Sequence, residues 1–143
     1  MSSSTAAPRQ AKKITVLDTK LVSLWYYPDD KIVHTQIKQF ITGEPFKEFL
    51  LAGTALVEQH RAEKWLSDDR SCPVIHPADI DWADAVWFPR TAAAGWKYWA
   101  VVQPEKTVGQ AMVKQLLEKF ARRGVTSKWF TDPADALWWL QSR

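Results

Sequence analysis

The chain has 143 residues, of which 46% are hydrophobic, and it carries a formal net charge of +3 at pH 7. A chain of this length forms one domain that buries roughly two thirds of the surface exposed by its unfolded form, so it needs no disulfide or metal to fold. Its single cysteine excludes an internal disulfide. No apolar run approaches the roughly 18 residues of a membrane-spanning helix, and no stretch has the order of a secretory signal. We therefore expect a cytoplasmic domain without integral membrane association.

The first 13 residues are rich in Ser, Ala, Pro, Gln and Lys. Such a composition cannot bury enough apolar area to offset the entropy lost on ordering, so residues 1–13 are predicted to be a disordered lead. The folded domain is predicted to span residues 14–143.

An antiparallel hairpin is predicted at the start of the domain. Residues 17–27 are mostly apolar, residues 28–31 have turn chemistry, and residues 32–41 are rich in β-branched side chains. Side chains alternate across a strand, so the odd-numbered residues from Val33 to Ile41 are expected to face the core. His34, on the opposite side, is expected to be an exposed strand residue.

Strands and helices alternate through the rest of the chain. Apolar residues at three- and four-residue spacing predict a helix from residue 43 to about residue 61. The next elements are a strand at 64–68, a helical region from His76 that Pro89 ends, a strand at 96–102, a helix at 107–123 and a strand at 127–131. A last helix is predicted after Asp132, which suits the N-cap position, with Pro133 at the first helical position.

This order predicts an α/β fold: an N-terminal β-hairpin followed by βαβ-type units, with a mixed, mostly parallel sheet covered by about four helices. Five segments between about residues 17 and 140 carry a resemblance to a known family: 64–70, 81–82, 95–104, 130–132 and 136–140. In these segments the chain resembles the SpoIIAA-like proteins, bacterial single-domain relatives of the STAS domain that are also described alongside the Sec14-like lipid-binding proteins. The resemblance implies one STAS-like domain.

The resemblance also implies a function without catalysis. STAS domains include anti-sigma factor antagonists, which bind a kinase and are switched by phosphorylation, so it implies a regulatory, protein-interaction module. The helix start that carries the phosphoacceptor serine in those proteins corresponds here to residues 76–79, which contain no hydroxyl. We therefore expect no phosphoacceptor at that position. The alternative is a Sec14-like binder or carrier of a small apolar ligand or lipid.

Candidate binding residues lie where the predicted parallel strands end. Asp68, Asp69, Arg70 and Ser71 follow one strand and Gln103 follows the next, and ligands of parallel sheets bind at the carboxyl ends of strands. We expect these residues to bind a ligand or partner. A salt bridge of an aspartate with Arg70 is favoured over acid catalysis, because no second acid is evident.

No metal or cofactor is expected. Cys72, His76 and Asp79 have helical ligand spacing, but prolines interrupt the helix that this spacing requires. A basic strip on the third helix has no base-stacking motif beside it, so no nucleic acid partner is expected either.

Nine tryptophans in 143 residues are unusual, and Trp82, Trp87, Trp96 and Trp99 cluster around the second helical region and the strand after it. Large aromatic side chains anchor protein interfaces and also line apolar pockets. The favoured interpretation is a contact surface for a protein partner or for a second copy in a homodimer. The alternative is a groove for a small apolar ligand.

Overall fold

The computed structural model describes residues 11–121 and 123–143. The predicted disordered lead lies outside the described residues, except for residues 11–13. The six strands are β1 (Ile14–Asp18), β2 (Val22–Tyr27), β3 (Ile32–Ile37), β4 (Lys64–Asp68), β5 (Tyr98–Val102) and β6 (Thr126–Phe130). The helices are α1 (Glu44–His60), α2 (Pro77–Trp82), α3 (Phe88–Ala93), α4 (Thr107–Ala121) and α5 (Pro133–Gln141). A π-helical turn, Ala83–Trp87, joins α2 directly to α3.

The strands form one sheet in chain order, β1 to β6. β1, β2 and β3 pair antiparallel, and β3, β4, β5 and β6 pair parallel. The predicted α/β class with a mixed, mostly parallel sheet is confirmed. Among the described residues, no helix combines the length and apolar character required to cross a bilayer.

The N-terminal end differs from the predicted hairpin because it contains three strands. Residues 14–18 form an additional edge strand, and the turn at Thr19 separates it from β2, with the Thr19 hydroxyl accepting hydrogen bonds from the backbone N–H groups of Leu21 and Val22. Ile14 and Val16 are exposed, so β1 lacks the clear alternation of a half-buried strand. The second hairpin arm ends at Ile37 and does not reach residue 41.

The order in which the parallel strands are added to the sheet determines on which face the connecting helices lie. When parallel strands are added in one direction, right-handed crossovers place every crossover helix on the same face of the sheet. The main core accordingly joins α1, the π turn, α3 and α4 to the strand face that carries Val33, Trp65 and Trp99. The smaller core lies on the opposite face, where α5 covers Ile32 and Leu66 among others.

Both faces of β3 are therefore partly buried. Val33, Thr35 and Ile37 on the predicted face are buried, as expected, but Ile32 on the other face is fully buried as well. The helix after β6 has no parallel strand to return to, which leaves it free to close the second face.

Helix α1 lies very close to the sheet at one point. A Cβ atom on Gly53 would come within 2.8 Å of Cζ2 of Trp65 and would meet Cη2 of the same ring more closely still. Gly53 and Trp65 are both buried, and the Trp65 ring is held from the other side by a hydrogen bond described below. Glycine is thus required here by the close approach of the helix backbone to the ring.

Gly53→Ala is expected to lower the free energy of unfolding by about 2 kcal/mol, because the added methyl group overpacks the Trp65 ring. Helix propensity alone would predict a gain, since alanine is the better helix former by about 1 kcal/mol. Urea denaturation followed by tryptophan fluorescence measures the difference. The matched control is Ala55→Gly at an exposed position of α1, which should cost only about 1 kcal/mol through propensity. A stabilised G53A variant would contradict the packing account.

Candidate functional site

A cavity of about 80 Å³ lies between the inner face of the sheet and helices α1, α2 and α4. Most of its lining is apolar, with Phe49 from α1, Ile80 from α2 and Met112 from α4. At one end it reaches the carboxyl ends of β3 and β4, where Ile37 and Asp69 contribute to the lining. This is the part of a parallel sheet in which ligand sites are commonly found.

Tryptophan rings form a large part of the cavity wall. Trp65, Trp87 and Trp99 line it, and the centroids of Trp65 and Trp87 lie 5.3 Å apart in an edge-to-face arrangement. Trp96 packs behind them, 5.1 Å from Trp87 and 5.4 Å from Trp99. The rings support one another through contacts of the geometry that aromatic pairs prefer.

The predicted tryptophan contact surface is wrong for three of its four residues. Trp87, Trp96 and Trp99 are only 4%, 2% and 5% exposed, so they belong to the protein's own core. Trp82 is half-buried and packs edge-on against Phe46. None of the three buried rings can anchor a partner in this fold.

The second helical region continues past Pro89. Pro89 was expected to end this region, because proline has no N–H and its ring clashes with the carbonyl four residues earlier. The turn before Pro89 is instead widened, with the N–H of Phe88 donating to the carbonyl of Ala83, five residues back. A π turn accommodates the proline without ending the helix. The helical segment therefore extends to Ala93, and Trp87, the last residue of the π turn, is buried in the core.

Buried hydroxyl groups hold two of the wall tryptophans. The Nε1–H of Trp65 donates to Oγ1 of Thr35 at 3.0 Å, and the Nε1–H of Trp99 donates to Oγ of Ser67 at 2.9 Å. Thr35 in turn contacts Ser67 at 3.5 Å. The Nε1–H of Trp87 is buried but has no partner among the described residues. Such an orphaned donor is uncommon in a folded protein and costs about 1–3 kcal/mol.

Among the described residues, Asp69 is the one charged residue in the cavity lining. Its backbone N–H donates to the Val102 carbonyl at 2.9 Å and its carbonyl accepts from Cys72 at 3.0 Å, which fixes its position after β4. The residue is half-buried by its exposed surface, yet protein atoms surround its carboxyl group densely. Burial, together with the nearby charge of Asp68, raises the pKa of Asp69 to about 7, and no described residue donates a hydrogen bond to its carboxyl group.

The neighbouring aspartate has a different environment. Asp68 is buried and lies on the opposite face of β4, where Arg70 binds it through two hydrogen bonds, Nε to Oδ1 at 2.9 Å and one terminal nitrogen to Oδ2 at 2.8 Å. This is the salt bridge expected from the sequence. Ser71 is exposed in the loop. Gln103 lies apart from the cavity, in a shallow surface groove beside β6.

Cys72 also lines the cavity, but its thiol is not activated. Burial, together with the charge of Asp69, raises the pKa of the Cys72 thiol above its ordinary value. Its Sγ donates to the carbonyl of Pro73 at 3.1 Å. Because the thiolate is the nucleophilic form, this environment does not favour a reactive cysteine.

His34 was expected to be exposed, and that prediction is wrong. Its ring lies 4.6 Å from that of Trp25 and stacks on Tyr27 at 5.8 Å, with Nδ1 3.0 Å from the Tyr27 hydroxyl. Burial is the main cause that lowers the pKa of His34 to about 4, partly offset by Asp68. The flanking aromatic residues of β2 were the sequence signal for this burial, since they sit opposite His34 in the sheet.

Comparison with protein-family models, with curated proteins and with solved structures found no match. Within residues 11–121 and 123–143, no group of three or more His, Cys, Asp or Glu side chains is placed to hold a metal ion. Function is thus inferred from the cavity itself, which combines aromatic walls with one unpaired carboxyl group.

Asp69→Asn is expected to change how stability depends on pH. The pKa of Asp69 is about 7 in the folded protein and about 4 in an unfolded chain. The folded state therefore binds more protons between these values, and Asp69 makes the free energy of unfolding fall as the pH rises from about 4 to about 7. In D69N this fall should be absent, with a gain of about 2 kcal/mol near pH 8, less than the full shift because the side chain is partly accessible. Urea denaturation at several pH values measures it.

His34 is the control, because its effect has the opposite sign. Its pKa of about 4 in the folded protein lies below the ordinary value of about 6.5, so the unfolded state binds more protons and stability decreases as the pH falls through this range. In the wild type, both residues contribute to the pH dependence of the free energy of unfolding. D69N should show the contribution of His34 alone, and His34→Gln should show the contribution of Asp69 alone. Identical pH profiles in wild type and D69N would refute the unpaired carboxyl group.

Two tryptophan variants separate hydrogen bonding from ring volume. Trp99→Phe and Trp87→Phe remove the same indole atoms from the same cavity wall, but only Trp99 donates a hydrogen bond, to Ser67. Trp87→Phe removes an orphaned donor. We expect W99F to be less stable than W87F by about 2 kcal/mol in urea denaturation. Equal losses would show that the Trp87 N–H has a partner after all.

Proposed function

We propose that this chain is a non-enzymatic binding domain that holds a small, largely apolar molecule in the cavity. The observation that carries the proposal is a partly open aromatic cavity in which the Asp69 carboxyl accepts no hydrogen bond from any described residue. Ligand pockets are mostly apolar and contain a few placed polar groups that fix orientation. The cavity has that composition.

The polar groups near the cavity support binding over catalysis. Asp69 and Cys72 are the titratable residues among the described lining residues. Burial keeps the Cys72 thiol protonated, because it raises the pKa of the thiol. Asp68 is held by Arg70. Catalysis by an acid and a base together needs a second titratable group within reach of the first, and no other described lining residue supplies one.

The cavity size limits the ligand. An apolar cavity of about 150 Å³ is known to accept benzene, and this cavity has about half that volume. In proportion to benzene, which has six non-hydrogen atoms, a ligand of about three fits without rearrangement. A probe of five non-hydrogen atoms requires a small movement of α2 or α4, and a lipid chain requires a larger one.

A regulatory contact surface is the second candidate, and it is supported by three exposed apolar side chains. Phe40, Val74 and Val108 are 55%, 49% and 62% exposed and follow β3, β4 and β5, whose carboxyl ends share one edge of the sheet. Exposed apolar patches mark interaction sites. As part of this proposal, a STAS-like module would contact a protein partner or a second copy at this edge, beside the cavity. In native mass spectrometry, a ligand-free dimer would favour this candidate, whereas a monomer with a bound small molecule favours the cavity.

Ala83→Leu tests the cavity directly. Ala83 lines the cavity from the π turn, so the larger side chain should fill it and prevent binding of isobutanol, a small neutral probe. Binding is measured by the change in tryptophan fluorescence on titration, since three tryptophans form the wall.

Ala85→Leu is the matched control, because Ala85 lies in the same π turn but is exposed. A85L should bind isobutanol like wild type. Equal binding by A83L and A85L, with both variants folded, would show that the probe does not occupy the cavity, and absence of binding by wild type would remove the proposed function.

A further inference from the structure

We infer that the ligand of this cavity carries a protonated amine, which Asp69 binds through its carboxylate; this inference rests on the proposed function and names the ligand class. The chemical class is an aliphatic ammonium compound with a short apolar body. The evidence comes from the charge, the hydrogen-bonding capacity and the size of the cavity.

The charge balance of the lining favours a cation. None of the described residues that line the cavity is Lys, Arg or His, and Asp69 is the one acidic residue among them. Arg70, the next residue in the chain, is committed to Asp68 on the other side of β4. An organic anion in the cavity would be repelled by the ionised carboxylate, and a wholly apolar ligand would leave it desolvated and unpaired, which is costly.

An ammonium group supplies the hydrogen-bond donors that the Asp69 carboxylate can accept from. No described residue donates a hydrogen bond to the Asp69 carboxyl, and a primary ammonium provides three N–H donors. Hydrogen bonds between ionised partners are shorter and stronger than neutral ones. The raised pKa of Asp69 is consistent with this assignment, because it describes a carboxyl group whose charged form has no counterion.

The tryptophan rings of the cavity wall also favour a cationic ligand. Trp65, Trp87 and Trp99 line the cavity together, and tryptophan is the side chain that attracts cations most strongly through its ring. The rest of the lining, including Phe49 and Met112, suits the hydrocarbon part of such a ligand. One end of the ligand would meet Asp69 and the other would meet the apolar helices.

The test compares three probes with the same number of non-hydrogen atoms and the same branched skeleton: isobutylamine, isobutanol and propionate. Each is titrated against the full chain by calorimetry and tryptophan fluorescence. At about pH 8 the amine should bind at least about tenfold more tightly than the alcohol, the effect of a charge-assisted hydrogen bond, and propionate should bind most weakly.

The pH dependence of amine binding provides a second measurement. An alkylammonium keeps its proton below about pH 10, as lysine does, so affinity should follow ionisation of Asp69 and fall by up to about tenfold per pH unit below about pH 7. Asp68 and Cys72 are the titratable groups whose charges act with Asp69 here. No titratable side chain from β3, β5, α1, α2 or α4 lines the cavity.

Asp69→Asn should lose the preference for the amine and keep binding of the alcohol within about threefold, since the side-chain shape is retained. Asp81→Asn, at an exposed position of α2, is the control and should bind like wild type. Equal affinities for amine and alcohol, or amine binding that D69N leaves unchanged, would overturn the inference while the cavity remains a binding site. If none of the three probes binds, the proposed function fails and the inference fails with it. Should D69N not fold, the probe comparison and its pH profile in wild type still decide the question.

Discussion

The position of the Trp65 ring is the constraint on which the rest of the structure depends. On one side the backbone of α1 approaches it at Gly53, where a side chain would not fit. On the other side its indole N–H donates to Thr35 in the neighbouring strand. These two contacts fix the distance between α1 and the sheet, and the ring that they hold is a wall of the cavity. The packing of the fold and the geometry of the site are therefore set by the same residue.

The topology determines why a cavity forms on this face. Right-handed crossovers place α1, α2 with α3, and α4 on one side of the sheet, so three connections must pack over the same strands. Large, rigid tryptophan rings fill most of the space between these helices and the sheet. They leave a cavity of about 80 Å³ that reaches the carboxyl ends of β3 and β4. Asp69 lies at that end because the chain turns there after β4. A carboxyl group is thereby desolvated in a space that no basic side chain in the described part of the chain lines.

Local signals could be predicted from the sequence, and long-range packing could not. The start of α5 illustrates the first case: Asp132 accepts a hydrogen bond from the N–H of Ala134 at 2.8 Å and Pro133 occupies the first turn, as the residue types indicate. The order of strands and helices was likewise readable from hydrophobic periodicity. β1 was missed because its apolar residues are exposed at an edge, where burial imposes no alternation.

The site illustrates the second case. Asp68 and Asp69 are adjacent in sequence, but the strand alternation sends Asp68 to Arg70 on one face and the chain turn leaves Asp69 in the cavity on the other. The helix continues past Pro89 through a π turn, which the proline alone would not indicate. The cavity is the space that the side chains leave unfilled between the helices and the sheet. The spacing of residues along the sequence does not predict its volume.

The most direct measurement is the pKa of the Asp69 carboxyl group, followed by carbon-13 NMR of aspartate-labelled protein with and without isobutylamine. The account predicts a pKa of about 7 in the free protein, and a fall toward the ordinary value of about 4 when the ammonium binds, because a counterion favours the charged form. An ordinary pKa that does not move on addition of the amine would contradict the account, since it would show that Asp69 already has a partner or faces open water.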